Sequence, residues 1–254
     1  RRNFRGAMDF LMAKRAAQFP DEDERERLRS FGNRVRARAL SRLPELLERL
    51  ETSLTRNGVK VHWAETVEEA NAIVHSIVQA HEAKHVIKGK SMVSEEMEMN
   101  HFLGDHGVDC LESDMGEFIV QLREEKPSHI IMPAIHLNAG QVASLFHDKL
   151  DVDYTEDVDR LIQIGRETLR RKFFEADIGV SGVNFAIAET GTLLLVENEG
   201  NGRMSTTVPP VHIAVVRASR LYAGLPAALY GLRVADDLPT NLLLVTGPSK
   251  TADI

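Results

Sequence analysis

Four short stretches of this chain concentrate side chains able to hold an anion or move a proton. Lys88-Gly89-Lys90-Ser91-Met92-Val93-Ser94 offers two ammonium groups, a glycine for close approach and, where it enters a helix, free backbone N–H groups. It is not a P-loop, because the GxxxxGK[ST] spacing is missing. Ser181-Gly182-Val183-Asn184 is followed by Ala188-Glu189-Thr190-Gly191-Thr192, which sets a carboxylate beside a turn. Partly desolvated there, Glu189 would act as nucleophile, acid or base; a purely turn-forming role for Glu189-Thr190-Gly191 is the plainer alternative. The run from Glu197 to Thr207 gathers Asn198, Glu199, Asn201, Arg203, Ser205 and Thr206 and is far more polar than a hairpin needs. Arg203 suits a bidentate clamp on a carboxylate or phosphate, with the hydroxyls alongside as donors. Thr246 to Asp253 adds Lys250 after another apolar run.

These residues yield a specific expectation. Lys88, Lys90, Ser91, Asn184, Thr190, Asn198, Asn201, Arg203, Ser205 and Thr206 are the candidate ligand contacts, and Glu189 and Glu199 the candidate catalytic carboxylates. The 88–94 loop, Glu189 and the 198–207 loop are expected to converge on one anion site at the carboxyl edge of a sheet, where open α/β sheets bind ligands. No metal site is expected: the ten histidines form no HExxH, and the single cysteine, Cys110, excludes an internal disulfide or a four-cysteine zinc or cluster site. His136, after Met132-Pro133-Ala134-Ile135, is the histidine best placed to face such a site.

Elements able to position these loops are legible in the apolar pattern. From Phe4 to Gly58 the chain is Arg- and Leu-rich, and Leu43, Leu46, Leu47, Leu50 and Leu54 form one helical stripe that must lie on the body or a partner. This predicts an N-terminal helical extension over 1–58, with an α/β domain over 59–254. Strands are predicted at 59–63, 85–87, 108–111 and 129–132, alternating with helices over 66–81, 94–105, 116–124 and 138–150. That alternation implies a mostly parallel sheet with helices on both faces. A long helix at 157–174 leads to strands at 177–180, 185–188, 193–197, 211–216 and 242–245, some antiparallel, all expected to complete the same sheet.

Composition narrows the function classes. Residues 1–60 carry 15 Lys and Arg against 9 Asp and Glu, leaving 16 against 29 in the other 194 residues, so the body is strongly acidic and would repel a nucleic acid. No apolar run approaches a membrane span, and the N-terminus lacks a secretory core, which makes a cytoplasmic protein the default expectation.

The blocks Lys88 to Glu96, Lys126 to Ile131, Ala176 to Thr192 and Val196 to His212 together resemble the lactate-utilisation (LUD) domain family, closest to its larger iron–sulfur-bearing type. The tail Thr246 to Ile254 is more like that of a smaller type within the family. The resemblance implies a fold similar to the glucosamine-phosphate deaminase, ribose-phosphate isomerase and CoA-transferase group. It also implies a part in an iron–sulfur-dependent, three-protein oxidoreductase system that oxidises L-lactate to pyruvate. Partners would then be the other subunits, a small carboxylate or other anion, and a further copy of the chain. The larger relatives carry ferredoxin-type runs, CxxCxxCxxxCP, after this domain, for 4Fe-4S clusters. Nothing of the kind occurs here, so this reads as the N-terminal part of a longer protein or as a departed form. Two other classes stay open: a stand-alone isomerase or CoA-transferase-like enzyme using Glu189 or Glu199, and a non-catalytic scaffold.

Overall fold

In a computed structural model of the chain, residues 2–129, 132–231 and 239–248 are described. The elements in order are α1 (Arg2–Gln18), α2 (Glu22–Ser41), α3 (Leu43–Arg56), α4 (Val67–Ala80), β1 (His85–Lys88), α5 (Met92–Glu96), α6 (Met99–Asp105), β2 (Asp109–Glu112), α7 (Met115–Leu122), α8 (Ala139–Leu150), α9 (Val158–Glu175), β3 (Ile178–Gly182), β4 (Phe185–Ile187), β5 (Thr192–Glu197), α10 (Asn201–Thr207), β6 (Val211–Val215), β7 (Leu221–Tyr222), α11 (Leu225–Gly231) and β8 (Asn241–Val245). The chain divides into two compact units. One comprises residues 1–13, 74–181 and 201–213, and the other 14–73, 182–200 and 214–254.

The first unit is built on a parallel sheet in the order β2-β1-β3-β6. Val86, Ile87, Ile178 and Val180 are at most 2% exposed, the double-sided burial that a parallel sheet requires. Helices α7, α8 and α9 bring Phe118, Phe146, Ile164 and Phe173 against Ile87 to form one core. Their starts follow from local chemistry. Asp114 caps α7, Asp157 caps α9, and Asn138 with Gln141 closes a reciprocal capping box on α8. At the opposite edge the Asp177 carboxylate accepts the Lys84 and His85 N–H groups at 2.8 and 3.0 Å, pinning the start of β1 beside β3.

The second unit has its own mixed sheet, β7-β4-β5-β8, with β4 antiparallel to β5, β5 antiparallel to β8 and β4 parallel to β7. The chain therefore contains two four-stranded sheets, and the expectation of one continuous sheet is corrected. The tight Thr190-Gly191 turn folds β5 straight back on β4, and the pair builds a sheet of its own around Ala186, Leu193 and Leu195. The Leu stripe of α3 covers that core: Leu46, Leu50 and Leu54 are buried, with Leu43 and Leu47 packed against them. Gly191, at φ +64°, lies so close to α3 that a Cβ there would come within 2.6 Å of the Ser53 carbonyl carbon.

Two predicted elements come out differently, and one polar run holds an unpredicted helix. The strand at 59–63 is absent. The Gly58 and Val59 N–H groups close the end of α3 on Thr55 and Leu54 carbonyls, and Val59 and Val61 pack sideways on the second unit's core without joining either sheet. The helix at 94–105 is two helices, broken at Glu98 in the left-handed region (φ +48°), so that Ser94 on α5 and Met99 and Leu103 on α6 are all buried. The polar run after Glu197 contains a helix, α10, whose Ser205, Thr206 and Thr207 hydroxyls bond back to carbonyls within it. The strand predicted at 129–132 has its centre, 130–131, outside the described residues.

Candidate functional site

Parallel strands end in loops, and at the ends of β1 and β2 the sequence places charged residues directly after apolar ones. Lys88 closes β1 and Glu112 closes β2, paired with each other in the ladder register. Both are buried, Lys88 completely. The Lys88 ammonium donates to Glu112 Oε1 and Glu95 Oε1, both at 2.7 Å, and to Ser94 Oγ at 3.1 Å. Burial alone would push this lysine's pKa down, but the two carboxylates outweigh it and hold the ammonium well above its ordinary value. Asn100 adds a donor to Glu112 Oε1 at 2.6 Å.

Beside this group lies a second one. Asp114 caps α7 by accepting the Gly116 and Glu117 N–H groups, and Glu117 in the first turn of α7 is 5% exposed. Lys90 approaches Asp114 Oδ2 at 3.7 Å and Glu117 Oε1 at 3.8 Å, with its side chain 30% exposed. Glu112 Oε2 and Glu117 Oε2 are buried and accept no hydrogen bond. Burial first, and then the neighbouring Glu112, push the Glu117 carboxyl up to about 8, against the opposing pull of Lys88 and Lys90.

Lys88 and Lys90 thus stand among carboxyl groups. Glu95, Glu112 and Glu117 offer oxygens within 4.8 Å of one another, a hard donor set of the kind magnesium or manganese takes. The cation already bonded to two of these three residues is Lys88, which a divalent ion would have to displace or tolerate. A cluster of iron and sulfur does not fit this chain. Its one cysteine, Cys110, is buried in β2, bonds Asn100 Oδ1 at 3.4 Å, and has a thiol pushed up to about 12 by burial.

Ser91 and Ser205 share the first unit with the lysines. Ser91 caps α5 through the Ser94 N–H, and Ser205 is completely buried, with its Oγ 3.5 Å from Ser113 Oγ, which itself donates to the Lys88 carbonyl. Asn201, Arg203 and Thr206 belong to the same unit on α10. Its approach to β3 is so close that a Cβ at Gly179 would fall 1.8 Å from the Ser205 carbonyl oxygen. Asn184, Glu189, Thr190, Asn198 and Glu199 belong to the second unit and are all exposed. Glu189 is thus without the desolvation expected of it. Asn184 and Asn198 accept backbone N–H groups from Val196 and Thr240, and the Thr190 and Gly191 carbonyls accept from Asn57, so these positions have evident structural work. Lys250 lies outside the described residues. His136 forms a local clamp with Ser128 at 2.8 Å and Glu125 at 3.0 Å.

Sequence reasoning found the lysines and missed their acidic partners Glu112, Asp114 and Glu117. A signal existed, since Glu112-Ser113-Asp114 follows the apolar strand as Lys88 follows Val86-Ile87.

The residues of both sheets fall within a match to the LUD domain model that runs over residues 47–254. The chain belongs to the LUD domain family. It is 40% identical over 216 residues, 85% of its length, to a Bacillus pumilus protein named lactate utilization protein B, and 35% identical over 256 residues to the Bacillus subtilis protein of that name. An Escherichia coli relative, 40% identical over 77% of the chain, is named as an uncharacterized electron transport protein, YkgF. The chain spans about half the length of these relatives: 46%, 53% and 41%. No solved structure matches, so kinship with the deaminase, isomerase and CoA-transferase group stands on the sequence resemblance alone. No helix among the described residues is long and apolar enough to cross a membrane.

Proposed function

We propose that this chain is the α/β domain of a lactate-utilisation protein that works in the cytoplasm, within an iron–sulfur-dependent system oxidising L-lactate to pyruvate. Its task there is to bind a small carboxylate, while electron transfer belongs to 4Fe-4S clusters held elsewhere in the system. The observation that carries this reading is the family match over 47–254, joined to relatives named for lactate utilisation. Lys90 supports the carboxylate part. Its ammonium is partly exposed and stands next to a carboxyl whose pKa burial raises, a pairing suited to one anion. The stand-alone isomerase or transferase reading rested on Glu189 and Glu199, and the exposure of both gives it less support. The test is growth on L-lactate of a bacterium deleted for its own lactate utilization protein B and supplied with the full gene. Restored growth, lost in Lys90→Met with the protein still present, is expected. Full growth of Lys90→Met would remove Lys90 from the account, and no restoration by the wild-type gene would reject the role itself.

A further inference from the structure

We propose that the arginine-rich face of α2 docks on the acidic stretch 148–159 of a second copy of this chain, forming a salt-sensitive homo-oligomer. The inference goes beyond the carboxylate-binding reading and does not rest on it.

Between Glu26 and Glu45 the chain carries six arginines, Arg27, Arg29, Arg34, Arg36, Arg38 and Arg42, and no acidic residue. Helix α2 turns Val35 and Ala39 to the apolar clusters of the second unit and leaves the arginines outside. Arg27, Phe31, Arg34 and Arg38 follow one another at i, i+4, i+7 and i+11, which sets them on one face, and all four are exposed. The Arg34 guanidinium lies 5.8 Å from the centre of the Phe31 ring. Arg29 and Arg42 pair with Glu26 and Glu45, whereas Arg27, Arg34, Arg36 and Arg38 meet no carboxylate among the described residues. Like charges at this spacing repel one another, so the face favours an anionic surface.

The first unit carries the complement. Residues 148–159 contain Asp148, Asp151, Asp153, Glu156, Asp157 and Asp159, all exposed, and the one lysine among them, Lys149, pairs with Glu124 at 3.2 Å. Among the described residues no lysine or arginine pairs with any of these six acids. Tyr154 and Val158 stand exposed between the acids as Phe31 and Leu40 do between the arginines, so each surface mixes its charge with apolar contact area. Arginine beside aromatic side chains, with no lysine along α2, is the composition of a protein contact, and the planar guanidinium matches a carboxylate. An extended polyanion fits less well. Residues 61–254 carry 16 Lys and Arg against 29 Asp and Glu, which a nucleic acid or an anionic membrane would repel. A bounded acidic stretch on a second copy satisfies the arginines locally.

Sedimentation velocity of the whole chain over a concentration series tests this. At about 50 mM salt the wild type should sediment as a dimer or larger, and a rise to about 500 mM should weaken the association about tenfold or more, because screening shortens the reach of surface charge. Arg34→Glu with Arg38→Glu in one protein, and Asp148→Lys with Asp153→Lys in another, should each be monomeric at the lower salt. Both should keep the wild-type circular-dichroism spectrum, since all four side chains are exposed. Mixed in equal amounts, the two variants should associate again, because each contact between them then joins opposite charges. A wild type that is monomeric at every concentration and salt, association indifferent to both charge reversals, or no association in the mixture overturns the proposal. A monomeric wild type that cosediments with phosphatidylserine vesicles, and loses them in Arg34→Glu with Arg38→Glu, overturns it in favour of a lipid surface.

Discussion

At the scale of single residues, the first unit contains polar groups whose burial sets their protonation. His212 on β6 accepts or shares a hydrogen bond with Ser181 on β3 at 2.8 Å, and burial lowers its pKa to about 4, which keeps the ring neutral at physiological pH. Its folded pKa lies below the unfolded value near 6.5, so the unfolded chain binds the extra proton as pH falls from about 6.5 to about 4. Stability should drop across that window by on the order of 3 kcal/mol from this residue, and His212→Gln should flatten the drop in denaturant unfolding followed against pH. Glu117 works the other way. Its folded pKa is raised, so its contribution is present below the ordinary carboxylate range and is lost as pH rises toward about 8; Glu117→Gln should remove that slope in the same experiment. Lys88 is the most exposed to loss of a partner in the energetic sense: Lys88→Met would leave Glu95 and Glu112 facing each other without their ammonium, a cost of about 3–5 kcal/mol. Adding Glu112→Gln to that variant should recover a large part of it. The two lysines were legible from their place after a strand, but Glu112, Asp114 and Glu117 lie 24 to 27 positions away, a proximity that the pairing of β1 with β2 creates.

At the scale of elements, close approach replaces charge as the deciding quantity. Gly179 on β3 admits the α10 backbone, and a methyl group there would sit 1.8 Å from the Ser205 carbonyl oxygen. Gly179→Ala should therefore cost about 3 kcal/mol or more in unfolding experiments. Gly104, on α6 with nothing within 4 Å of a built Cβ, is the contrast: Gly104→Ala should stabilise by about 0.5–1 kcal/mol. The strands β1, β2, β3, β4, β5, β6 and β8 were all readable, because each is a short apolar run between turn residues. What escaped were β7, α11 and α10, the last because Asn, Ser and Thr in a row read as loop chemistry; within the helix the Ser and Thr hydroxyls are satisfied by the Asn201 and Arg203 carbonyls. The 59–63 segment failed for the opposite reason. Its alternation of apolar and polar residues is strand-like, yet its first N–H groups are used to terminate α3.

At the scale of the whole chain, the single sheet expected from sequence is two, a distinction that local pattern does not carry. Both units contain a run of strands with helical neighbours, and only the partner choice of β4 and β5 separates them. The family was legible because the blocks around Lys88, Asp177 and Thr206 are long, and the match over 47–254 agrees. With one cysteine, these residues do not by themselves supply the four thiolates of a 4Fe-4S cluster. The central claim is that this domain binds a small carboxylate through Lys90. Isothermal titration of the chain with L-lactate at pH 7, wild type beside Lys90→Met, measures that directly. The account predicts saturable one-to-one binding to the wild type, weakened at least about tenfold in Lys90→Met by loss of a charged hydrogen bond. Equal binding by the two proteins, or none by a folded wild type to lactate or pyruvate, would contradict it.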